Sequence, residues 1–427
     1  MDFRKLLEAL ISAYIRCAGE PSPDMTPRAL GESKVFCVLP WLGLNIAPNG
    51  DVYPCCAFVN DSPVGSLRTA RLEEIWNSES WRDVRRRMLA GEEVPQCRRC
   101  YELEAVGSCS LRQQFQQVIF SRPAQVRDTN ADGSLDRFAP ANLDIRFSNR
   151  CNFKCRYCTP QKSARWRDDC EPGAIDTPTK KTEDLLRQLG PILAGLDQIN
   201  FSGGEPLLTP EHYQLLGLLI EKKKTYVRLN YSTNFSVTTL GGRDVFELWK
   251  GFTDEVVVAA SLDAMGGRGE YIRKNQDWSQ VVENRERMLR VCPRVRFSLA
   301  PTLSVMNALH LPEFHKAWIE QGYVEPRNIA IGFVLDPEEF RAQILPEHLK
   351  REMAARYERH MEWLSARYGS DAAGAVAQFK AALDFTRAQD RSGLLDRFRR
   401  TTRSLDAMRG ERFESVFPEL AELMQEP

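Results

Sequence analysis

The sequence carries no net charge: 58 Lys and Arg residues balance 58 Asp and Glu. Without a global field there is nothing to draw nucleic acid or an anionic membrane as partner. The basic runs Arg85-Arg86-Arg87 and Arg397-Phe398-Arg399-Arg400 fall in helix-like stretches and read as solvated faces. No apolar run approaches the roughly 20 residues that cross a bilayer. Residues 1–20 read as an amphipathic helix with Phe3, Leu6, Leu7, Leu10 and Ile11 on its apolar side. Asp2, Arg4, Lys5 and Glu8 interrupt it, which argues against a signal peptide or anchor. Histidine is scarce, at five residues, and His310 and His315 read as packing or surface. With no secretory signal, twelve cysteines, mostly clustered, point to metal sites in a reducing, cytoplasmic setting rather than to a disulfide framework.

What the sequence does have is a triplet of thiols, Cys151-Asn152-Phe153-Lys154-Cys155-Arg156-Tyr157-Cys158, just after the alternating run 143–147. Three thiolates from one loop cannot all pair with one another, and they suit a metal or an iron–sulfur cluster. A structural site normally supplies four ligands, so one coordination position is left for something else.

From residue 142 to 337 strand-like runs recur at 143–147, 198–201, 227–231, 256–260, 295–299 and 329–334. Helical patterns lie between them, at 182–193, 211–223, 245–249, 281–291 and 314–321. Alternation of this kind predicts a parallel sheet with right-handed crossovers. Several runs are almost continuously apolar, as strands buried on both faces should be. Six units fall short of the eight that close a barrel, so the expected fold is α/β, a partial (β/α)6 barrel whose open side the flanking segments could cover. Beyond the strand ends, where parallel architectures place active sites, stand the cysteine loop, Ser202-Gly203-Gly204-Glu205-Pro206, Ser232-Thr233-Asn234, Ser261-Leu262-Asp263, Pro301-Thr302 and Asp336-Pro337.

Ahead of the barrel, Asn49-Gly50 between two extended runs predicts a hairpin, which ends in Pro54-Cys55-Cys56 near Cys37. A helical stretch through Leu72, Ile75, Trp76, Trp81, Val84 and Met88 leads to Cys97-Arg98-Arg99-Cys100. Cys37, Cys55, Cys97 and Cys100 would make a four-thiolate site, with Cys56 and Cys109 in reserve; zinc and an iron–sulfur cluster suit these ligands equally. A helix is expected at 111–120, then a polar loop whose Asp128–Gly133 segment opens like a calcium loop. Its twelfth position is Ala139, not Glu, so it reads as a turn. The last part, 349–427, is helical and charge-rich, without cysteine. The expected divisions are 1–34 helix and linker, 35–112 cysteine-rich module, 113–141 connector, 142–340 partial barrel and 341–427 helical extension.

Cys-x3-Cys-x2-Cys after the first strand, with Gly-Gly-Glu-Pro after the second, resembles the radical S-adenosylmethionine (SAM) enzymes. The resemblance covers residues 142 to about 337. It implies that Cys151, Cys155 and Cys158 hold a [4Fe-4S] cluster whose fourth iron binds SAM, and that homolytic cleavage yields a 5′-deoxyadenosyl radical that abstracts hydrogen from a substrate. Cofactor contacts implied by position are Tyr157, Gly203, Gly204, Glu205 (to the cofactor ammonium), Ser232, Asn234, Arg273 (to its carboxylate) and Thr302; Asp263 is given no role. Cys37, Gly50, Cys55 and Cys97-x2-Cys100 resemble the twitch or SPASM module, which usually follows the radical domain and here precedes it. That favours one auxiliary [4Fe-4S] cluster on Cys37, Cys55, Cys97 and Cys100, since six cysteines between residues 37 and 109 are too few for two. The implied chemistry is dehydrogenation or bond formation on a peptide side chain, with a small sugar-like or amino metabolite as the alternative substrate, and a non-catalytic SAM-binding scaffold as the alternative class. An electron donor such as flavodoxin or ferredoxin is implied as partner.

Overall fold

The computed structural model describes residues 27–59, 62–105, 110–116, 122–160, 162–166 and 182–425. The expected helix at 1–20 and Cys109 lie outside these residues. The strands of the main sheet are β1 (Gly43–Ile46), β2 (Asp51–Tyr53), β3 (Gly65–Ser66), β4 (Asn142–Ile145), β5 (Gln198–Phe201), β6 (Arg228–Thr233), β7 (Val256–Ala260) and β8 (Arg296–Leu299). They form one sheet in the order β8-β7-β6-β5-β4-β1-β2-β3. β4 to β8 run parallel, and helices Thr182–Leu189, Pro210–Glu221, Val245–Trp249 and Trp278–Val291 make the returns. The fold is the expected partial barrel.

Two details differ from expectation. The sixth strand is thin: Ile329 bridges Leu299, and Gly332–Phe333 pair in parallel with Thr302–Leu303. Pro301 lies between those contacts and has no N–H to offer, so the ladder breaks there. The helical stretch at 72–88 is two helices, Leu72–Trp76 and Glu79–Leu89. Ser78 divides them, its hydroxyl accepting from the Trp81 N–H at 3.3 Å as an N-cap.

The cysteine-rich segment joins the barrel sheet directly. β1 pairs parallel with β4, setting Asn45 beside Asp144, and β2 and β3 continue antiparallel from it. The hairpin turns at Gly50, whose φ of +87° suits glycine. The strands also alternate more strictly than their composition suggested. On β5 Ile199 and Phe201 are buried, while Gln198 and Asn200 are only half-buried. On β6 Leu229 and Tyr231 are buried and Asn230 is not fully so. One sheet face therefore packs in the core, and the other lines a polar hollow. The C-terminal helices Glu347–Tyr368, Ala373–Arg387 and Leu395–Arg409 bury Tyr357, Phe379 and Phe398. Beyond them Phe413 and Phe417 set their edges against Tyr271.

Candidate active site

The cysteine loop leaves β4 and is pinned from several sides. Lys154–Cys155 pair antiparallel with Arg273–Lys274, and the Arg156 N–H donates to the Ile272 carbonyl at 2.9 Å. The Trp166 indole donates to the Cys155 carbonyl at 2.7 Å, and the Ser163 hydroxyl to the Phe153 carbonyl at 2.8 Å. Arg156 itself is fully buried, joined to Asp406 and Glu411 of the C-terminal segment. Cys151, Cys155 and Cys158 then line one cavity of about 360 Å³, together with Tyr157, Gly203, Gly204, Ser232, Asn234, Arg273 and Thr302.

The glycines serve the loop first. A Cβ on Gly203, at φ +126°, would sit 2.8 Å from the Ser148 carbonyl, and one on Gly204 would sit 2.2 Å from that of Arg150. Their absence lets the Gly204 and Glu205 N–H groups bond to Ser148 and Arg150 at 3.1 and 2.8 Å. Glu205, expected to contact the cofactor ammonium, is buried at the end of β5, within electrostatic reach of Cys151 and Arg273. It is 1 % exposed, and its carboxylate accepts from the Leu207 N–H, the Thr233 hydroxyl and the Asn234 N–H at 3.1, 2.7 and 2.7 Å. Burial outweighs these bonds and pushes its pKa up to about 7. It braces the end of β5 against that of β6.

Asp263, left without a role by the sequence, is a hub. Fully buried, it takes Arg273 Nε at 2.7 Å and Nη2 at 3.2 Å, the Thr302 N–H at 2.8 Å and the Tyr157 hydroxyl. Burial raises the Tyr157 phenol further still. Arg273 Nη1 reaches Cys155 Sγ at 3.7 Å, and Asn234 Nδ2 reaches Cys151 Sγ at 3.9 Å while donating to Asn152 at 2.8 Å. Burial pushes the Cys151 thiol up to about 11 and raises Cys155 and Cys158 too. Thiols so placed gain their charge by coordination, since a coordinating thiol is deprotonated outright.

On the hairpin side, Cys37, Cys55, Cys97 and Cys100 gather within electrostatic reach of one another. Arg112 stands by them, 5 % exposed, paired with Glu104 and donating to the Phe36 carbonyl at 2.9 Å. Cys56 points elsewhere, to Asp144 and Arg146. Between hairpin and barrel lies a chamber of about 590 Å³ that shares Arg146, Ser202 and Ser232 with the first cavity. Burial raises the Asp144 carboxyl above its ordinary range, against the pull of Arg146. Arg112, Arg156, Asp144 and the orientation of Cys56 carried no signal in the sequence.

A family model described as the radical SAM superfamily matches residues 145–311. Residues 145–311 are therefore a radical SAM domain. A second model, SPASM, an iron–sulfur cluster-binding domain, matches residues 37–101 and favours an iron–sulfur cluster over zinc at the hairpin site. The two domains imply a [4Fe-4S] cluster with SAM and an auxiliary iron–sulfur cluster. The residues present suit these groups: a three-thiol loop leaves one iron open, and the cavity at that opening has glycine backbone on one wall. GTP 3′,8-cyclase of Corynebacterium glutamicum (strain R) is 38% identical over 88 residues, 18% of this chain and 21% of that protein. An S-adenosylmethionine-dependent nucleotide dehydratase of Siniperca chuatsi is 24% identical over 189 residues, 43% of this chain and 49% of that one. The chain thus spans about a fifth to a half of these curated relatives' lengths. Among solved structures, native anSMEcpe with bound AdoMet aligns with a TM-score of 0.39 at 18% identity, covering 52% of this chain and 62% of that one. Streptococcus suis SuiB bound to the precursor peptide SuiA aligns with a TM-score of 0.35 at 17% identity, covering 60% and 52%.

Proposed function

We propose that this radical SAM protein is an enzyme that removes a hydrogen atom from a polar substrate and completes its oxidation, by dehydrogenation or bond formation, next to an auxiliary [4Fe-4S] cluster. Residues 142–340 carry the radical chemistry and residues 35–112 the auxiliary cluster. Cys151, Cys155 and Cys158 hold the first cluster; Cys37, Cys55, Cys97 and Cys100 hold the second. When bound, the first cluster and SAM supply a hydrogen-abstracting 5′-deoxyadenosyl radical. The chain positions and encloses. Asp263 fixes Arg273 and Tyr157 at the cavity wall, where the guanidinium would meet the cofactor carboxylate, and Ser232, Asn234 and Thr302 would supply polar contacts. A flavodoxin- or ferredoxin-type protein delivers the electron.

The observation that carries this reading is the chamber, which has Cys55 and Cys56 on its wall and shares Arg146, Ser202 and Ser232 with the thiol-lined cavity. A molecule held there lies between the two thiol sets. Its volume of about 590 Å³ is in the ordinary range for small-molecule sites. A peptide side chain and a small sugar-like or amino metabolite both suit the reaction, and the row of carboxamides on one wall favours the metabolite. The names of the matched relatives point to nucleotides, but both arginines of the lining are paired with carboxylates.

Anaerobic reconstitution tests the proposal. With dithionite the protein should convert SAM to 5′-deoxyadenosine, and a Cys151→Ala/Cys155→Ala/Cys158→Ala variant should not, while retaining the iron and sulfide of one cluster. A protein that held both clusters and made no 5′-deoxyadenosine would be a SAM-binding scaffold. Zinc without iron in the triple variant would remove the auxiliary cluster.

A further inference from the structure

The chamber wall is a hydrogen-bonded row of side chains that crosses the strands. Asn142 Oδ1 accepts from Gln198 Nε2 and from Asn200 Nδ2, both at 2.7 Å, and Asn200 Oδ1 accepts from Asn230 Nδ2 at 2.9 Å. Ser202 accepts from Arg146 Nε at 3.1 Å and donates to Asp144 at 3.3 Å. Among the described residues, Gln198 Oε1 and Asn230 Oδ1 have no partner within the chain. Asn45 is 4 % exposed and lines the same chamber. It stands close enough to Asp144 to help hold its charge, yet its Nδ2 makes no hydrogen bond of normal geometry. A buried polar atom left without a partner, as Asn45 Nδ2 is, calls for a ligand that satisfies it, and the half-buried Gln198 and Asn230 oxygens offer acceptors beside it.

Charge narrows the ligand. The lining has two cations and one anion. Arg146 lies 3.9 Å from Asp144, and Arg228 lies 3.6 Å from Glu255. A phosphorylated ligand needs uncommitted arginine or lysine, and none lines this wall. Carboxamides both donate and accept, and so do hydroxyls. The strand spacing of about 4.8 Å repeats such groups at regular intervals. An aliphatic ligand would strip water from this row and return no hydrogen bonds.

We propose that the chamber binds a neutral polyhydroxylated ring, a monosaccharide or cyclitol, along the row from Asn45 and Asn142 to Asn200 and Asn230. This rests on the chamber's being the substrate site of the radical reaction. Saturation-transfer NMR on the anaerobically reconstituted protein tests it, with myo-inositol, methyl α-D-glucopyranoside and N-acetylglucosamine as probes at millimolar concentration. At least one should receive saturation, and a variant with Asn200→Leu and Asn230→Leu should weaken its binding tenfold or more. The milder Asn230→Ala, checked by circular dichroism for native folding, should weaken it severalfold. No transfer to any probe, equal transfer in parent and variants, or displacement of the probe by GTP or a soluble peptide mixture overturns the assignment. Formation of 5′-deoxyadenosine is read on the same sample. If it forms while no ring binds, the ligand class is wrong and the radical reading stands; if rings bind and it never forms, the reverse holds.

Discussion

Replacing Arg156 with methionine should destabilise the protein by about 3 kcal/mol and weaken its hold on the first cluster. The side chain is 0 % exposed. Its Nη2 meets Asp406 Oδ1 at 2.5 Å and Glu411 Oε2 at 2.6 Å, and its Nε donates to the Tyr271 carbonyl at 3.1 Å. The guanidinium also lies 3.5 Å from the centroid of the Tyr271 ring. Breaking a buried ion pair costs about 3–5 kcal/mol, because the charges left behind have no water to turn to. The lower end applies here. Lys274 still reaches Glu411 at 2.8 Å, and Asp406 keeps the Tyr271 hydroxyl and the Phe413 N–H, each at 2.7 Å. Losing the cation from the ring face costs up to about 2 kcal/mol, while the unpartnered Nη1 no longer has to be buried, and the two offset each other. About 3 kcal/mol is roughly a hundredfold in equilibrium constant. Urea unfolding of the apo-protein measures it, and the rate of iron loss to a chelator after reconstitution reads the loop directly. Adding Asp406→Asn should restore part of the stability by removing an orphaned charge. A loss below about 1 kcal/mol, with iron retained as in the parent, would refute the claim that the C-terminal segment braces the cysteine loop.

Cys55→Ala should lose about four irons per chain on reconstitution and Cys56→Ala none, because Cys55 lies within electrostatic reach of Cys37 and Cys97 while Cys56 sits beside Asp144 and Arg146; iron quantitation decides it. Gly204→Ala should displace the loop, since its Cβ would meet the Arg150 carbonyl at 2.2 Å; low cluster content in a chain of native circular dichroism is the expected result. His315 and His360, 3.0 Å apart in the C-terminal packing, are lowered by burial from 6.5 to about 3 and about 4. Between those values and pH 6.5 the unfolded chain binds more protons than the folded one. Stability is therefore full above pH 6.5 and should fall by about 2 kcal/mol from pH 6.5 to 5.5 for the pair, as denaturant titration at each pH would show.

Much of the site is local in sequence and was legible there. The thiol triplet sits within eight residues, and the glycine pair, Ser232, Asn234 and Thr302 follow strands whose ends fix where they emerge. Periodicity located β5 and β7 to the residue and the return helices to within a few residues. The partners of Glu205, Thr233 and Asn234, were not legible because its motif is local and they are not. The sixth strand was overdrawn because an apolar run does not reveal that its neighbour is interrupted at Pro301.

By itself the sequence determined the order of strands and helices, the thiol spacings and the glycines, because each depends on residues a few positions apart. The tertiary structure alone decided that β1 pairs in parallel with β4 across about a hundred residues, which carries the hairpin thiols to the barrel. It alone set Cys55 among the hairpin thiols and Cys56 beside Asp144 and Arg146, and joined Asn142, Asn200 and Asn230 by hydrogen bonds across the strands. It alone set Asp406 and Glu411 on Arg156 from some 250 residues away. Such contacts depend on which surfaces meet once the sheet has formed, and no period in the chain encodes a meeting over that distance.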